Sequence, residues 1–347
     1  VAVAGAVRPM PNFIEPMEAL LAEELPDGPG WQYEPKWDGF RCIAVRDGPD
    51  VELWSKSGKP LARYFPEVQA MLERLKAKRF VIDGELLIAS GGAIAFDALQ
   101  LRLHPAASRI AKLAAASPAM FMAFDCLMVG KKLLGGEPLQ ARRTALEQLL
   151  GKESEPALLL SPATDDRARA DGWLQRGGGA LDGVIAKRMD EPYRSGERAM
   201  IKVKQRRTAD CVVGGFRYGK NDLNVASLLL GLYDEAGLLH HVGFTSSIAA
   251  KDRPAWTEEL EKLVEHPGFT GNAPGGPSRW STERTAEWQP LKPKLVVEVL
   301  YDQVTAGRFR HGTRLLRRRP DKAPRQCRCD QLAPPLTPAQ LKQLMKP

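Results

Sequence analysis

Apolar and polar residues alternate in short stretches along most of this chain. Arg41 to Arg46 alternates, Asp47-Gly48-Pro49-Asp50 supplies turn chemistry, and Val51 to Ser55 alternates again, which predicts a hairpin. Phe80–Ile88 and Ala119–Val129 predict strands. The period lengthens over Pro138–Leu150, where Leu139, Leu146, Leu149 and Leu150 share a face, Pro138 suits the first turn and Gly151 follows as a stop. A second helix is predicted over Asp165–Arg176, ended by Gly177-Gly178-Gly179. Strands over Leu181–Arg188 and Met200–Gln205 come next. After about Arg207 the texture changes. Short strands are predicted over Cys211–Phe216, Ser227–Tyr233 and Leu238–Phe244, with a helical pattern near Trp256–Val264. A Gly/Pro-rich loop, Pro267–Pro277, precedes one long strand, Leu295–Tyr301. Several short strands with one helix predict a small β-barrel. The tail from Leu332 is Pro-rich, and Thr337-Pro338 predicts the start of one last short helix. The fold class expected is α+β in two domains, 1–207 and 208–347, with the boundary placed by the change of texture because no flexible linker marks it.

Length agrees with this division, since 347 residues exceed what one domain of roughly 100–200 residues holds. Apolar residues make up 44% and charged residues 27%, the balance of a globular protein. No apolar run approaches the roughly 18–20 residues of a membrane span, and Val1–Val7 is too short for a secretory core, so membrane insertion and secretion are disfavoured. The five cysteines, Cys42, Cys126, Cys211, Cys327 and Cys329, are odd in number and scattered, which argues for a reducing cytoplasm rather than a disulfide framework. The single residue between Cys327 and Cys329 argues against zinc. The net charge of +8 matters mainly through its distribution: Arg308 to Arg328 holds eight Arg and one Lys against Asp321 alone. Such a run is either a solvated face or a site for a polyanion.

Four short segments carry candidate chemistry. In Glu34-Pro35-Lys36-Trp37-Asp38-Gly39-Phe40-Arg41, Lys36 is expected in a bend just before a strand, and Gly39 permits a close backbone approach. In Val81-Ile82-Asp83-Gly84-Glu85-Leu86 the two carboxylates lie two apart on a strand and share a face, which is either solvated or demands a partner. Leu181-Asp182-Gly183-Val184 brings a second acidic-Gly pair into a strand that runs on to Lys187. In Met200-Ile201-Lys202-Val203-Lys204 the period of two puts both lysines on one face, where they repel unless a phosphate lies between them.

Each segment alone is ambiguous, but their order is not. Lys36-x-Asp-Gly-x-Arg41, Asp-Gly-Glu85, Phe124-Asp125, Asp182-Gly-Val, Lys202-x-Lys204 and Arg319-Pro-Asp321-Lys322 together resemble the covalent nucleotidyltransferase superfamily. Within it the match is nearest to the stand-alone ATP-dependent DNA ligases of bacteria, the C type of actinobacteria. The Arg-x-Asp-Lys element and Cys329-Asp330-Gln331-Leu332 support that subgroup. The resemblance runs from Glu34 to about Cys327. It implies a nucleotidyltransferase (adenylation) domain followed by an OB-fold domain, acting on nicked duplex DNA in repair, with other repair proteins as possible partners and a monomer expected. Lys36 would be the nucleophile that takes AMP from ATP. Glu34 would sit by the adenine, Phe124 would stack on it, and Arg41 would contact the sugar-phosphate side. Glu85 would hold the ribose or a metal, Mg²⁺ or Mn²⁺, and Asp182 would help hold that metal. Lys187, Lys202 and Lys204 would face the α-phosphate, and Arg319, Asp321 and Lys322 would orient pyrophosphate.

Two positions depart from the family pattern. Asp182 stands where Glu is common, and its shorter arm would shift the metal. Lys56, in Ser55-Lys56-Ser57-Gly58, stands where Arg is common; it keeps the charge for DNA phosphate but loses the bidentate fork. The implied chemistry is three transfers: Lys36 attacks the α-phosphorus of ATP, AMP passes to a DNA 5′-phosphate, and a 3′-hydroxyl displaces AMP. A free lysine has a pKa of about 10.4, so the nucleophile needs neighbouring cations to lose its proton. Competing readings are an RNA ligase or an mRNA-capping-type enzyme using GTP, an NAD-dependent ligase, and a non-catalytic OB-type binder of nucleic acid. The last leaves the Lys36 region unexplained, and only 7% of residues are aromatic.

Overall fold

The computed structural model describes residues 14–90, 93–176, 181–205, 207–219, 223–275, 287–305 and 307–332, with positions 337, 339, 340 and 343 of the tail. The chain divides into two compact units, one of residues 1–205 with 335–347 and one of residues 206–334, taken over the described positions.

The first unit carries strands β1 (Ala19–Ala22), β2 (Trp31–Trp37), β3 (Phe40–Asp47), β4 (Asp50–Ser55), β5 (Arg79–Ser90), β6 (Ala93–Ile94), β7 (Ala119–Val129), β8 (Lys132–Leu133), β9 (Leu158–Leu160), β10 (Leu181–Arg188) and β11 (Met200–Val203). Its helices are α1 (Pro66–Arg74), α2 (Phe96–Arg102), α3 (Ala107–Ala116), α4 (Leu139–Leu150) and α5 (Arg167–Arg176). Two sheets result. One has the order β1-β11-β10-β2, the other β4-β3-β5-β7-β8 with β6 and β9 alongside. The long strands of the second sheet are apolar on both faces. Cys42, Ala44, Phe80, Ile82, Phe121 and Ala123 pack with residues of α1 and α4, while Ile43, Val45, Val81, Leu127 and Met128 form a second cluster. Trp37, Leu87, Met122 and Leu181 join the two sheets in one apolar cluster. The hairpin read from the sequence is present with a tighter turn, because Asp47 and Asp50 already pair across the strands. Helix α4 starts one residue later than expected, with Pro138 outside it as the cap. The glycines expected to end α5 lie outside the described residues.

The second unit is built on β12 (Arg207–Tyr218), β13 (Val225–Tyr233), β14 (Leu239–Thr245), β15 (Gln289–Pro290), β16 (Val296–Tyr301), β17 (Val304–Thr305), β18 (Arg308–Phe309) and β19 (Arg314–Arg318), with helix α6 (Arg253–Glu261). Antiparallel pairing gives the order β14-β13-β12-β16-β19. An isolated bridge between Thr245 of β14 and Thr313, just ahead of β19, draws the two ends of that order together into a half-barrel, in line with the short-strand pattern. Its interior holds Phe216, Leu228, Leu230, Val297 and Val299, closed by Trp256 and Leu260 of α6. Positions 276 and 277 of the Gly/Pro-rich loop and Pro338 of the tail lie outside the described residues, while Ala339 and Gln340 are helical.

Candidate active site

Lys36 does not sit in a bend. It is the penultimate residue of β2, the edge strand of its sheet, and is paired with Gly183 of β10, so its backbone is held by that one neighbour. The bend is Asp38-Gly39, which carries the chain from the first sheet to the start of β3 in the second. Gly39 is required there, because a Cβ would fall 2.2 Å from the Leu86 carbonyl oxygen. The Trp37 indole donates to Ser161 Oγ at 2.9 Å, with both groups buried, and so pins the residue beside Lys36.

A β-bulge aims the acidic partner of Lys36. The pairing of β10 with β2 slips between Leu181 and Gly183, which leaves Asp182 as the extra residue. Gly183 takes φ +138°, and a Cβ there would meet the Val203 carbonyl at 2.0 Å. Asp182 Oδ2 consequently reaches Lys36 Nζ at 2.6 Å and Lys204 Nζ at 3.2 Å. Lys202 lines the same cavity from β11. Burial, with the charges of Lys36, Lys204 and Lys56 around it, holds its ammonium below the ordinary lysine value.

The opposite wall comes from the second sheet. Arg41 grips Asp83 with Nε (2.6 Å) and Nη2 (2.5 Å), and Asp83 is wholly buried, so the carboxylate face read from the sequence is a paired one rather than a solvated one. The Arg41 guanidinium lies 4.6 Å from the Phe124 ring centroid, and Lys187 Nζ lies 4.9 Å from it. Lys187 also pairs with Glu34 at 2.9 Å, and Gln32 Nε2 donates to the second Glu34 oxygen at 2.7 Å. Between these walls lies a cavity of about 1230 Å³. Of the residues singled out in the sequence, Glu34, Lys36, Arg41, Lys56, Glu85, Phe124, Lys187 and Lys202 line it, Asp182 pairs with Lys36 at its edge, and Lys204 pairs with Asp182. Lys56 pairs with Glu18 at 2.9 Å, a partner from a distant segment that no sequence pattern signals.

Glu85 is the carboxylate with a difference. It accepts the Gly39 N–H at 3.1 Å and has no ion-pair partner among the described residues. Burial pushes its carboxyl up to about 7, with Arg41 and Lys36 pulling the other way. A raised folded value means that its contribution to stability is complete below the unfolded value of about 4.3 and is lost as pH rises through 7. Glu85→Gln is therefore expected to melt higher than the wild type at pH 8, by about 3 kcal/mol of stability, with the gap narrowing as pH falls and closing below about pH 4.3. Thermal melts across that range check it, and equal melting curves at pH 8 would refute it.

Arg319, Asp321 and Lys322 belong to the second unit and close on one another. Arg319 Nη1 meets Asp210 Oδ1 at 2.8 Å, Arg319 Nη2 meets Asp321 Oδ2 at 2.8 Å, and Lys322 Nζ meets Asp210 Oδ2 at 2.7 Å. Much of the basic run is spent in the same way: Arg317 pairs with Glu298, Arg328 with Asp330, and Arg318 with Glu259 while stacking 3.8 Å from the Trp256 ring centroid. The run is thus neither wholly solvated nor an open basic stripe.

Sequence reasoning missed one structural anchor. Asp125, beside Phe124, is buried against Arg142 of α4 with contacts of 2.8 and 3.1 Å. An Asp inside an apolar strand and an Arg on the apolar face of a helix were the available signal.

Comparison with known proteins identifies the family. Residues 14–204 match the ATP dependent DNA ligase domain, and residues 221–322 match the ATP dependent DNA ligase C terminal region. The chain is 44% identical over 339 residues to DNA ligase C1 of Mycolicibacterium smegmatis, covering 94% of this chain and 96% of that one. It is 31% identical over 306 residues to the multifunctional non-homologous end joining DNA repair protein LigD of Mycobacterium tuberculosis, covering 85% of this chain and 37% of that one. Among solved structures it resembles a mycobacterial DNA ligase D complexed with ATP and MES, with a TM-score of 0.50 and 27% identity over 91% of this chain and 98% of that one. Its fold is accordingly a nucleotidyltransferase domain followed by an OB-type domain, and the chain belongs to the ATP-dependent DNA ligase family.

Proposed function

We propose that this ligase seals 3′-hydroxyl/5′-phosphate nicks in duplex DNA during repair through an AMP carried on Lys36. The observation that carries the reading is the placement of Lys36 Nζ against Asp182 Oδ2, with Lys204 on the same oxygen and Lys202 alongside, in a cavity closed by Phe124 and the Glu34–Lys187 pair. ATP is consumed as substrate. Lys36 attacks its α-phosphorus, the P–O bond to pyrophosphate breaks, and a phosphoramide with AMP forms. Before attack Nζ must lose a proton, and Asp182 Oδ2 at 2.6 Å is the acceptor in place. Lys202 and Lys204 offset the negative charge that grows on the phosphate oxygens. Phe124 and Glu34 hold the adenine, Arg41 faces the sugar-phosphate, and Lys187 completes the phosphate side. Lys56 receives the DNA phosphate in exchange for Glu18.

A divalent cation fits Glu85 and Asp182. Glu85 is a largely buried carboxylate with no ion-pair partner, and no group of three His, Cys, Asp or Glu side chains among the described residues is arranged to hold a metal by itself. That donor set suits Mg²⁺ or Mn²⁺, which keeps water and takes one or two carboxylates with substrate phosphate oxygens. When bound, the cation polarises the α-phosphate. In the second unit Arg319, Asp321 and Lys322 would orient the departing pyrophosphate, which requires Arg319 and Lys322 to leave Asp210. We place the adenylation domain at 1–207 and the OB domain at 208–347, working as a monomer in the cytoplasm. Free cysteines support the compartment, and no helix among the described residues is long and apolar enough to cross a membrane. Repair proteins are its expected neighbours.

Sealing of a labelled nicked duplex with ATP, GTP or NAD⁺ tests the reading. Sealing with ATP alone is expected. Activity with GTP alone would point to the capping-type alternative, and no sealing with any of the three would overturn it.

A further inference from the structure

The segment just ahead of β1 is tied along the residues that connect β10 to β11. Ser195 Oγ donates to the Glu15 carbonyl (2.7 Å), Glu18 N–H donates to the Glu197 carbonyl (2.8 Å), and Met200 N–H donates to the Glu18 carbonyl (3.1 Å). Gly196, at φ +74°, leaves room for Glu15, whose Oε2 would lie 2.4 Å from a Cβ. The strap so held carries Met17 and Glu18, which line the nucleotide cavity, and Glu18 is the partner of Lys56. Arg41 Nη2, from the cavity wall, donates to the Met17 carbonyl at 3.2 Å.

Tyr193 stands where strap and wall meet. Its hydroxyl accepts the Met17 N–H at 2.8 Å and donates to Asp83 Oδ2 at 2.7 Å, the carboxylate that Arg41 grips. Burial, with Asp83 adding to it, pushes the phenol well above its ordinary value, so the proton stays available to Asp83. One hydroxyl thus serves as acceptor for a buried backbone donor and as donor to a buried carboxylate. We propose that Tyr193 is a positioning residue for nucleotide binding: its hydroxyl couples the Arg41–Asp83 pair to the strap, and so sets the cavity wall formed by Met17, Glu18 and Arg41. The proposal deepens the reading of this cavity as the ATP site and rests on it.

The test is single-turnover labelling of the full chain with α-labelled ATP. Tyr193→Phe keeps the ring and removes both bonds. The ATP concentration for half-maximal rate is expected to rise about 10-fold, with the limiting rate within about 3-fold of wild type. A merely structural role would lower the amount of active protein and leave that concentration unchanged. Asp83→Asn is expected to raise it as well, and the double variant to raise it no further than the worse single, since both act through one bond. A half-maximal concentration within 2-fold of wild type in Tyr193→Phe, a defect confined to the limiting rate, or effects that multiply in the double variant would each overturn the proposal. Wild-type protein that takes no label would instead overturn the ATP-site reading, and the positioning role with it.

Discussion

Lys36→Ala protein incubated with α-labelled ATP is expected to carry no acid-labile label and to seal nicks at less than about one-thousandth of the wild-type rate. No other lysine among the described residues lies as close to Asp182 Oδ2 as Lys36. Lys204 shares Asp182 Oδ2 but stands 3.2 Å from it, against 2.6 Å for Lys36, and Lys202 belongs to β11, which β10 separates from the strand of Lys36. The loss is specific to the first transfers. A nick that already carries AMP on its 5′-phosphate needs no nucleophilic lysine, so the variant is expected to retain part of its sealing on that substrate. Gel-resolved sealing of ordinary and pre-adenylated nicks checks both halves. Label retained on Lys36→Ala protein would remove Lys36 from the role, and equal loss on both substrates would mean that the substitution had collapsed the cavity. The fold argues against collapse: Lys36 is partly exposed and its backbone is held by β10.

Arg142→Met is expected to have the largest effect on stability, about 3–5 kcal/mol, and to lower the melting temperature of the first unit by about 10 °C. Arg142 and Asp125 are each 1% exposed, so the pair is sealed from water. Arg142 Nη1 also donates to the carbonyls of Glu137 (2.7 Å) and Glu191 (3.0 Å), which ties α4 to the segment after β10. Removing the guanidinium leaves a buried carboxylate without its cation and two carbonyls without a donor. The double change Arg142→Met with Asp125→Leu removes the orphaned charge as well and is expected to recover more than half of the loss. Calorimetry on the three proteins decides the matter. A single variant that melts with the wild type would show that Asp125 finds another partner. Because Phe124 adjoins Asp125, weaker ATP binding is expected to accompany the loss.

Local patterning carried the reading of the fold a long way. Strands β7 and β10 begin and end where alternation and apolar runs placed them, because both are central strands whose residues face packed neighbours on either side. Helices α1, α2 and α3 went unread. They are short and amphipathic over few turns, and their positions depend on the apolar face of the second sheet rather than on helix propensity. Strand β2 was hidden by Pro35 within it and by the polar residues that line the cavity.

For the site, the sequence by itself determined the cast: a lysine followed by Asp-Gly, two acidic-Gly pairs, and two lysines two apart, in an order that points to one chemistry. It predicted a strand through Gln205 with Lys202 and Lys204 on one face, whereas β11 ends at Val203 and leaves Lys204 one residue beyond it. Tertiary structure alone decided what those groups touch. The bulge at Asp182 reverses the direction that simple alternation assigns to it, and a bulge depends on the pairing of two distant strands. The Arg41–Asp83–Tyr193 contacts span 110 positions between Asp83 and Tyr193, and the Asp125–Arg142 pair joins a strand to a helix. Charge, too, was redistributed by folding, as the basic run found Glu259, Glu298 and Asp210 from other segments. Periodicity acts over neighbouring residues, whereas ion pairs and buried hydrogen bonds form wherever packing excludes water, so only the folded chain settles which carboxylate meets which cation.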